Sequence, residues 1–239
     1  MFAAAAVCPQ PPLLLPEMAQ RSTPELDRLR AACTAAVTTM LEAAPDVVVC
    51  VGDGPRLHSY DESAGGTMRE YGVDVHAGGH TVELPLALTL GAWLLDQVAW
   101  RGPRRYCAVP QETTPQECVE MGEKIAGADL RVGVLAMGDG SAKRSTAAPG
   151  YLDERAGPFD TEVARALAAP DLTWLAQGLP PLVCAELWVA GRPAWQFLAG
   201  AATQTAQDES VLARMHYDAA PYGVGYFVAD WTTAAPSES

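Results

Sequence analysis

Val132-Gly133-Val134-Leu135-Ala136-Met137-Gly138-Asp139-Gly140-Ser141-Ala142-Lys143-Arg144-Ser145 is an apolar run that stops at a Gly-Asp-Gly turn and then becomes basic and hydroxylic. A short apolar run closed by glycine predicts a strand buried on both faces. Upstream, Val47-Val48-Val49-Cys50-Val51-Gly52-Asp53-Gly54-Pro55-Arg56 repeats that grammar. In a doubly wound sheet, ligands lie in the crevice beyond the carboxyl ends of the strands. Two equivalent strand ends therefore predict Asp53 and Asp139 facing one pocket.

Working outward, Tyr106 to Val109 predicts a strand, Thr114-Pro115-Gln116-Glu117 a capping box that opens a helix to about Gly127, and Arg131 to Met137 the next strand. That succession implies a parallel crossover. Phe2 to Val7 predicts a first strand, followed by the proline-stiffened loop Cys8 to Glu17. Thr23-Pro24-Glu25 caps a helix running to about Ala43. Arg56 to His80, rich in glycine and carrying His58, His76 and His80, reads as an irregular loop, whereas Leu84 to Trp100 reads as an enclosed helix. Beyond Pro149 the pattern is helical at Pro158 to Ala168, Thr173 to Gln177, Leu182 to Val189 and Ala194 to Ala202. Val211 to Tyr217 and Gly225 to Trp231 read as closing strands. The expected architecture is a single α/β domain over residues 1–231, with a mainly parallel central sheet flanked by helices and a flexible tail at 232–239.

The chain has 239 residues, 49% of them hydrophobic, enough for a large core. Its net charge of -13, without any basic run, argues against a nucleic-acid footprint. Six scattered cysteines without a CxxC pair predict buried thiols in a cytoplasmic protein. No apolar stretch of membrane-spanning length occurs without a charge or proline, so no membrane partner is expected. The N-terminal segment lacks a positive leader and is cut short by prolines, which favours a first strand over an export signal.

Several motifs together resemble the catalytic B subunit of class III extradiol ring-cleaving dioxygenases, a superfamily that includes the Memo-like proteins. They are the Cys-Pro-Gln-Pro-Pro loop at Cys8 to Pro12, Met-Gly-Asp-Gly-Ser at Met137 to Ser141, Pro-Gly-Tyr-Leu-Asp-Glu-Arg at Pro149 to Arg155, Ala-Gly-Arg-Pro-Ala-Trp at Ala190 to Trp195 and Pro-Tyr-Gly-Val-Gly-Tyr-Phe at Pro221 to Phe227. The resemblance implies the family's fold and a site for non-haem Fe(II), held by two histidines and a carboxylate. It also shows departures. The first histidine position carries Gln10, the second falls at Gly52-Asp53-Gly54, the acid/base position after Ser141 carries Ala142, and Ala190-Gly191-Arg192-Pro193 supplies no third ligand. The expectation is a degenerate member that keeps a small-molecule pocket without ring cleavage, since a fold persists when its site is lost.

Two other readings stay open: an enzyme whose divalent metal, Fe(II) or another, has moved to Asp53, His58 and Asp139, and a non-catalytic subunit of a homo- or hetero-oligomer. The candidate pocket comprises Gln10, Asp53, Arg56, His58, Asp139, Ser141, Lys143 and Arg144. The three basic residues among them predict a mixed-charge mouth for a small aromatic or acidic molecule. Each histidine, including His216, has a plain reading as a solvated or packed imidazole, and each Gly-Asp-Gly as a simple turn. No P-loop, dinucleotide fingerprint or GxSxG elbow is present, which disfavours nucleotide binding and that hydrolase class. Trp188, Trp195 and the Tyr222 to Phe227 cluster read as core or interface.

Overall fold

Alternation along buried strands divides this molecule into layers. In the computed structural model, which describes residues 1–19, 23–208 and 210–233, strand β1 (Phe2–Cys8) is buried throughout. Its Ala4, Ala6 and Cys8 join one apolar cluster, and Phe2, Ala5 and Val7 another. Successive side chains of a strand leave opposite faces, so this strand has a helical layer on each side. Helices α1 (Pro24–Glu42) and α2 (Leu86–Gln97) cover the first face. The second face is covered by α3 (Pro115–Ala126), α4 (Ala156–Ala168), α5 (Leu172–Gln177), α6 (Pro181–Leu187) and α7 (Arg192–Thr203).

The main sheet has seven strands. Alongside β1 it contains β2 (Val47–Asp53), β3 (His58–Tyr60), β7 (Arg104–Val109), β8 (Val132–Met137), β9 (Val211–Ala219) and β10 (Tyr226–Thr233). Their order is β3-β7-β2-β8-β1-β10-β9. The four central strands are mutually parallel, but β3 lies antiparallel on β7, and β10 and β9 are antiparallel on the other flank. The sheet is therefore mixed, a correction to the expected mainly parallel one. The cause is local: β9 and β10 are joined by only 220–225, too short for a crossover helix, so they form a hairpin. Strands β2 and β8 are parallel neighbours, with Val51 opposite Ala136. Strand β10 runs to Thr233, past the expected start of the tail, and the rest of that tail, 234–239, lies outside the described residues.

The predicted caps are present. Thr23 Oγ1 accepts from Leu26 N, and Thr114 and Glu117 make the reciprocal capping box of α3. The stretch read as an irregular loop carries β4 (Ala64–Thr67) and β5 (His76–Gly78), which form a second sheet with β6 (Thr81–Val82) just beyond it, ordered β5-β4-β6. Its strands hold glycines and polar residues in place of alternating apolar ones, so periodicity does not reveal them. The central one packs on α2, which is why that helix is apolar almost all round. Close approach requires Gly66, because a Cβ there falls 1.9 Å from Thr89 Oγ1. Thr89 cannot yield, since it is buried and its hydroxyl donates to Leu84 O and Pro85 O. The short helix α8 (Thr205–Asp208) links α7 to β9.

Gly66→Ala is accordingly expected to destabilise the protein by about 1–3 kcal/mol, the usual penalty for overpacking. Urea unfolding of parent and variant, compared at equal m-value, measures it.

Candidate functional site

The central parallel strands all deliver their carboxyl ends to one edge, and the residues just beyond those ends build the site. Cys8 leads through Pro9 to Gln10, β2 ends on Asp53, β7 is followed by Pro110-Gln111-Glu112, and β8 is followed by Gly138-Asp139-Gly140. The prolines around Gln10 restrict the backbone on both sides of it. Gln10 N donates to Asp139 Oδ1 at 2.7 Å, and Gly138 N donates to Cys8 O at 2.9 Å, which ties the first loop to the turn after β8. Gly138 has no room for a side chain, since a Cβ there meets Gly191 Cα at 2.2 Å. That contact presses the start of α7 onto the turn, and Gly191 N donates to Asp139 O at 2.8 Å.

Asp139 is partly accessible yet closely surrounded by protein, and burial pushes its carboxyl up to about 7, with the Gln10 amide opposing that shift. Asp53 is raised as well, first by burial, against hydrogen bonding from Gln111 and Gly54 N. Gln111 Nε2 donates to Asp53 Oδ1 at 3.1 Å and to Ala190 O at 2.9 Å. The Gln111 segment is fixed in turn by the buried Arg192, whose guanidinium donates to Gln111 O, Thr113 O and Gln196 Oε1.

Two adjoining cavities meet at Asp53 and Gln111. One, of about 450 Å³, is lined also by Gln10, Gly54, Pro85 and Glu112. The other, of about 270 Å³, continues past Ala190 and Val189 to Trp188 and Pro181. The side-chain oxygen of Gln10 is buried without a hydrogen-bond partner in the protein. A buried acceptor left unpaired carries a desolvation penalty that a donor-bearing ligand or a water removes. The cleft thus has a polar end rich in acceptors and an apolar end carrying an indole. A separate cavity of about 460 Å³ lies around Met1, Leu130 and Thr205, at the amino ends of β1 and β8, remote from these groups. Another of about 460 Å³ lies between α1 and β9.

The other expected pocket residues are dispersed. Asp53 and Asp139 follow neighbouring strands at one edge, but Asp53 lines both cavities of the cleft and Asp139 lines neither. Arg56 is exposed, and exposed His58 sits on the edge strand β3, its ring edge-on to Tyr60. Ser141 is buried and binds Asp160 through both N and Oγ, at 2.9 and 2.8 Å. Arg144 pairs with that same carboxylate at 2.9 Å. Lys143 holds its ammonium 5.6 Å from the centroid of the Trp188 ring. None of the three basic residues expected at the mouth lines either cavity, and Arg144 is engaged by Asp160.

Among the described residues no group of three His, Cys, Asp or Glu side chains is placed to hold a metal ion. Asp53, His58 and Asp139 do not converge, and the donor set does not fit Fe(II). His76 faces solvent beside Asp74, and His216 packs against the buried Asp230. All six cysteines are free thiols. Among the described residues no helix is long and apolar enough to cross a membrane.

Sequence reasoning missed Gln111, Glu112, Asp160 and Arg192 as builders of this region. Gln111 carries the same signal as Gln10 and Asp53, a polar residue just past a buried parallel strand, and that rule identifies it. Trp188, expected in core or interface, is 55% exposed, whereas Trp195 and Phe227 are buried as read.

No family model and no curated protein matches this chain. Among solved structures it is similar to the crystal structure of uncharacterized protein JW3007 from Escherichia coli K12, at 14% sequence identity and a TM-score of 0.57. The match covers 96% of this chain and 99% of that one. At that identity the likeness concerns the fold alone.

The raised carboxyl of Asp139 gives stability a definite pH dependence. A folded-state value near 7 lies above the ordinary aspartate value of 3.8, so the folded protein binds the extra proton between the two. Stability therefore falls as pH rises through that window. Asp139→Asn keeps an acceptor for Gln10 N and removes the ionisation. The variant is expected to be more stable than the parent at pH 8, by on the order of 1–2 kcal/mol after allowance for screening, with the difference closing as pH falls towards 4. Thermal melts across that range measure it.

Proposed function

We propose that this protein is a small-molecule-binding relative of the extradiol dioxygenase B subunits that has lost the Fe(II) triad and with it ring cleavage. The observation that carries the reading is the cleft at the carboxyl edge, in which Gln10, Asp53 and Gln111 stand where ligands of an α/β sheet bind. Gln10 occupies the loop position that the resemblance gives to an iron-binding histidine, and its orphaned oxygen accepts hydrogen bonds but makes a poor iron ligand beside imidazole. The lining favours a ligand that donates hydrogen bonds from one side of a flat ring, as a catechol or aminophenol does. Asp53 receives its donors, and Gln111, already held between Asp53 and Ala190, fixes the geometry. An aromatic acid is disfavoured, because its carboxylate faces Asp53 and Glu112 in a cavity that no arginine or lysine lines. The residues that remain bind and orient, and no acid/base follows Ser141 to move a proton in ring opening.

Calorimetry on a panel of catechols, aminophenols and benzoates tests this. Catechols or aminophenols are expected to bind, benzoates not, and Asp53→Ala to weaken binding at least tenfold, or about 1.4 kcal/mol. Oxygen uptake with Fe(II) and bound catechol is expected to stay at background. Absence of binding across the panel leaves the non-catalytic subunit as the better reading, whereas oxygen uptake coupled to ring opening overturns the loss of chemistry.

A further inference from the structure

Trp188 closes α6 in the left-handed region, with φ 58 and ψ 46. That conformation places Cβ against the following carbonyl, and a bulky side chain rarely occupies it. Glycine is the usual occupant of a helix end of this kind, because it carries no such penalty. Burial does not explain the tryptophan, since the residue is 55% exposed. Trp188 instead lines the smaller cavity of the cleft, together with Asp53 and Gln111. The Lys143 ammonium lies over the ring, 5.6 Å from its centroid, a cation–π contact. Strain retained at an exposed aromatic residue in a cavity wall is the pattern of a functional position.

We infer that Trp188 is the ring-stacking and specificity-determining residue of this cleft, the platform on which an aromatic ligand lies while its hydroxyl or amino donors reach Asp53. The inference rests on the ligand-binding reading above and names the part of the cleft that selects an aromatic ring. Offset stacking on the indole supplies the aromatic preference. An aliphatic diol satisfies the polar end alone and is expected to bind at least tenfold more weakly than catechol.

Two measurements test it. In the first, Trp188→Gly removes both the strain and the platform. The variant is expected to melt at or above the parental temperature yet to lose catechol affinity at least tenfold, while Trp188→Phe stays within about threefold, since a phenyl ring also stacks. Unchanged catechol affinity in Trp188→Gly overturns the inference and leaves the binding reading intact. In the second, phenol at millimolar concentration is titrated while the indole N–H resonance of Trp188 is followed, assigned by its loss in Trp188→Phe. A saturable shift in both the parent and Asp53→Ala is expected, because the ring end does not depend on the carboxylate. That shift supports the platform even if catechol calorimetry fails, and its absence overturns the platform even if catechol binds through Asp53.

Discussion

A buried guanidinium fastens the functional edge of this protein. Arg192 is 1% exposed, and it donates to the carbonyls of Gln111 and Thr113 and to the side chain of Gln196, whose own amide donates to Ala176 O. A buried cation is tolerated only where its hydrogen bonds are met, so these segments are obliged to converge on it. The loop after β7, the start of α7 and the end of α5 are thereby held together, and Gln111 is delivered to Asp53. The same residue begins the helix whose preceding glycine is pressed against Gly138. The cleft therefore depends on a charge that never meets a ligand.

A second buried charge governs the sign of the surface around the site. Asp160 receives Ser141 N, Ser141 Oγ and Arg144, and burial raises its carboxyl while these donors oppose the rise. Breaking such a partly buried pair strands a charge, which costs more than forming the pair yields. The turn after β8 is thus anchored inward to α4, and its basic residue serves the fold. In a chain of net charge -13 this leaves the cleft with carboxylates and amide oxygens facing inward. The carboxyls of Asp53 and Asp139 are raised by burial first, against hydrogen bonding from Gln111 and Gly54 N at the one and from Gln10 N at the other.

Left-handed non-glycine residues occur at both ends of the central strands, with Ala44 and Ala99 ahead of β2 and β7 and Tyr151 and Trp188 beyond β8. The latter two belong to the segments between β8 and α7 that wall the site or adjoin it. The central strands beneath are regular and fully buried. A rigid parallel core carrying irregular loops at its carboxyl ends is the arrangement in which binding sites are built on α/β sheets, because the loops vary while the core fixes their origins.

The sequence by itself determined the elements whose signals are local. The valine-rich strands ending at Asp53 and near Asp139, the Thr23 cap, the Thr114–Glu117 capping box and the enclosed helix after Leu84 are each written in neighbouring residues, through periodicity, capping and turn chemistry. The antiparallel flank was missed, although the short link between β9 and β10 leaves no room for a crossover helix. The tertiary structure alone decided which polar groups satisfy one another. Arg144 and Asp160 are 16 residues apart, Gln10 and Asp139 129, and Gln111 and Ala190 79, and the sequence carries no mark of such pairings. The small sheet around Gly66 was hidden for a related reason, since its glycines answer to the surface of α2 rather than to a period of their own. Whether a basic residue meets a ligand or an internal carboxylate depends on long-range packing, because the cost of burying an unpaired charge is settled only when the distant partner arrives.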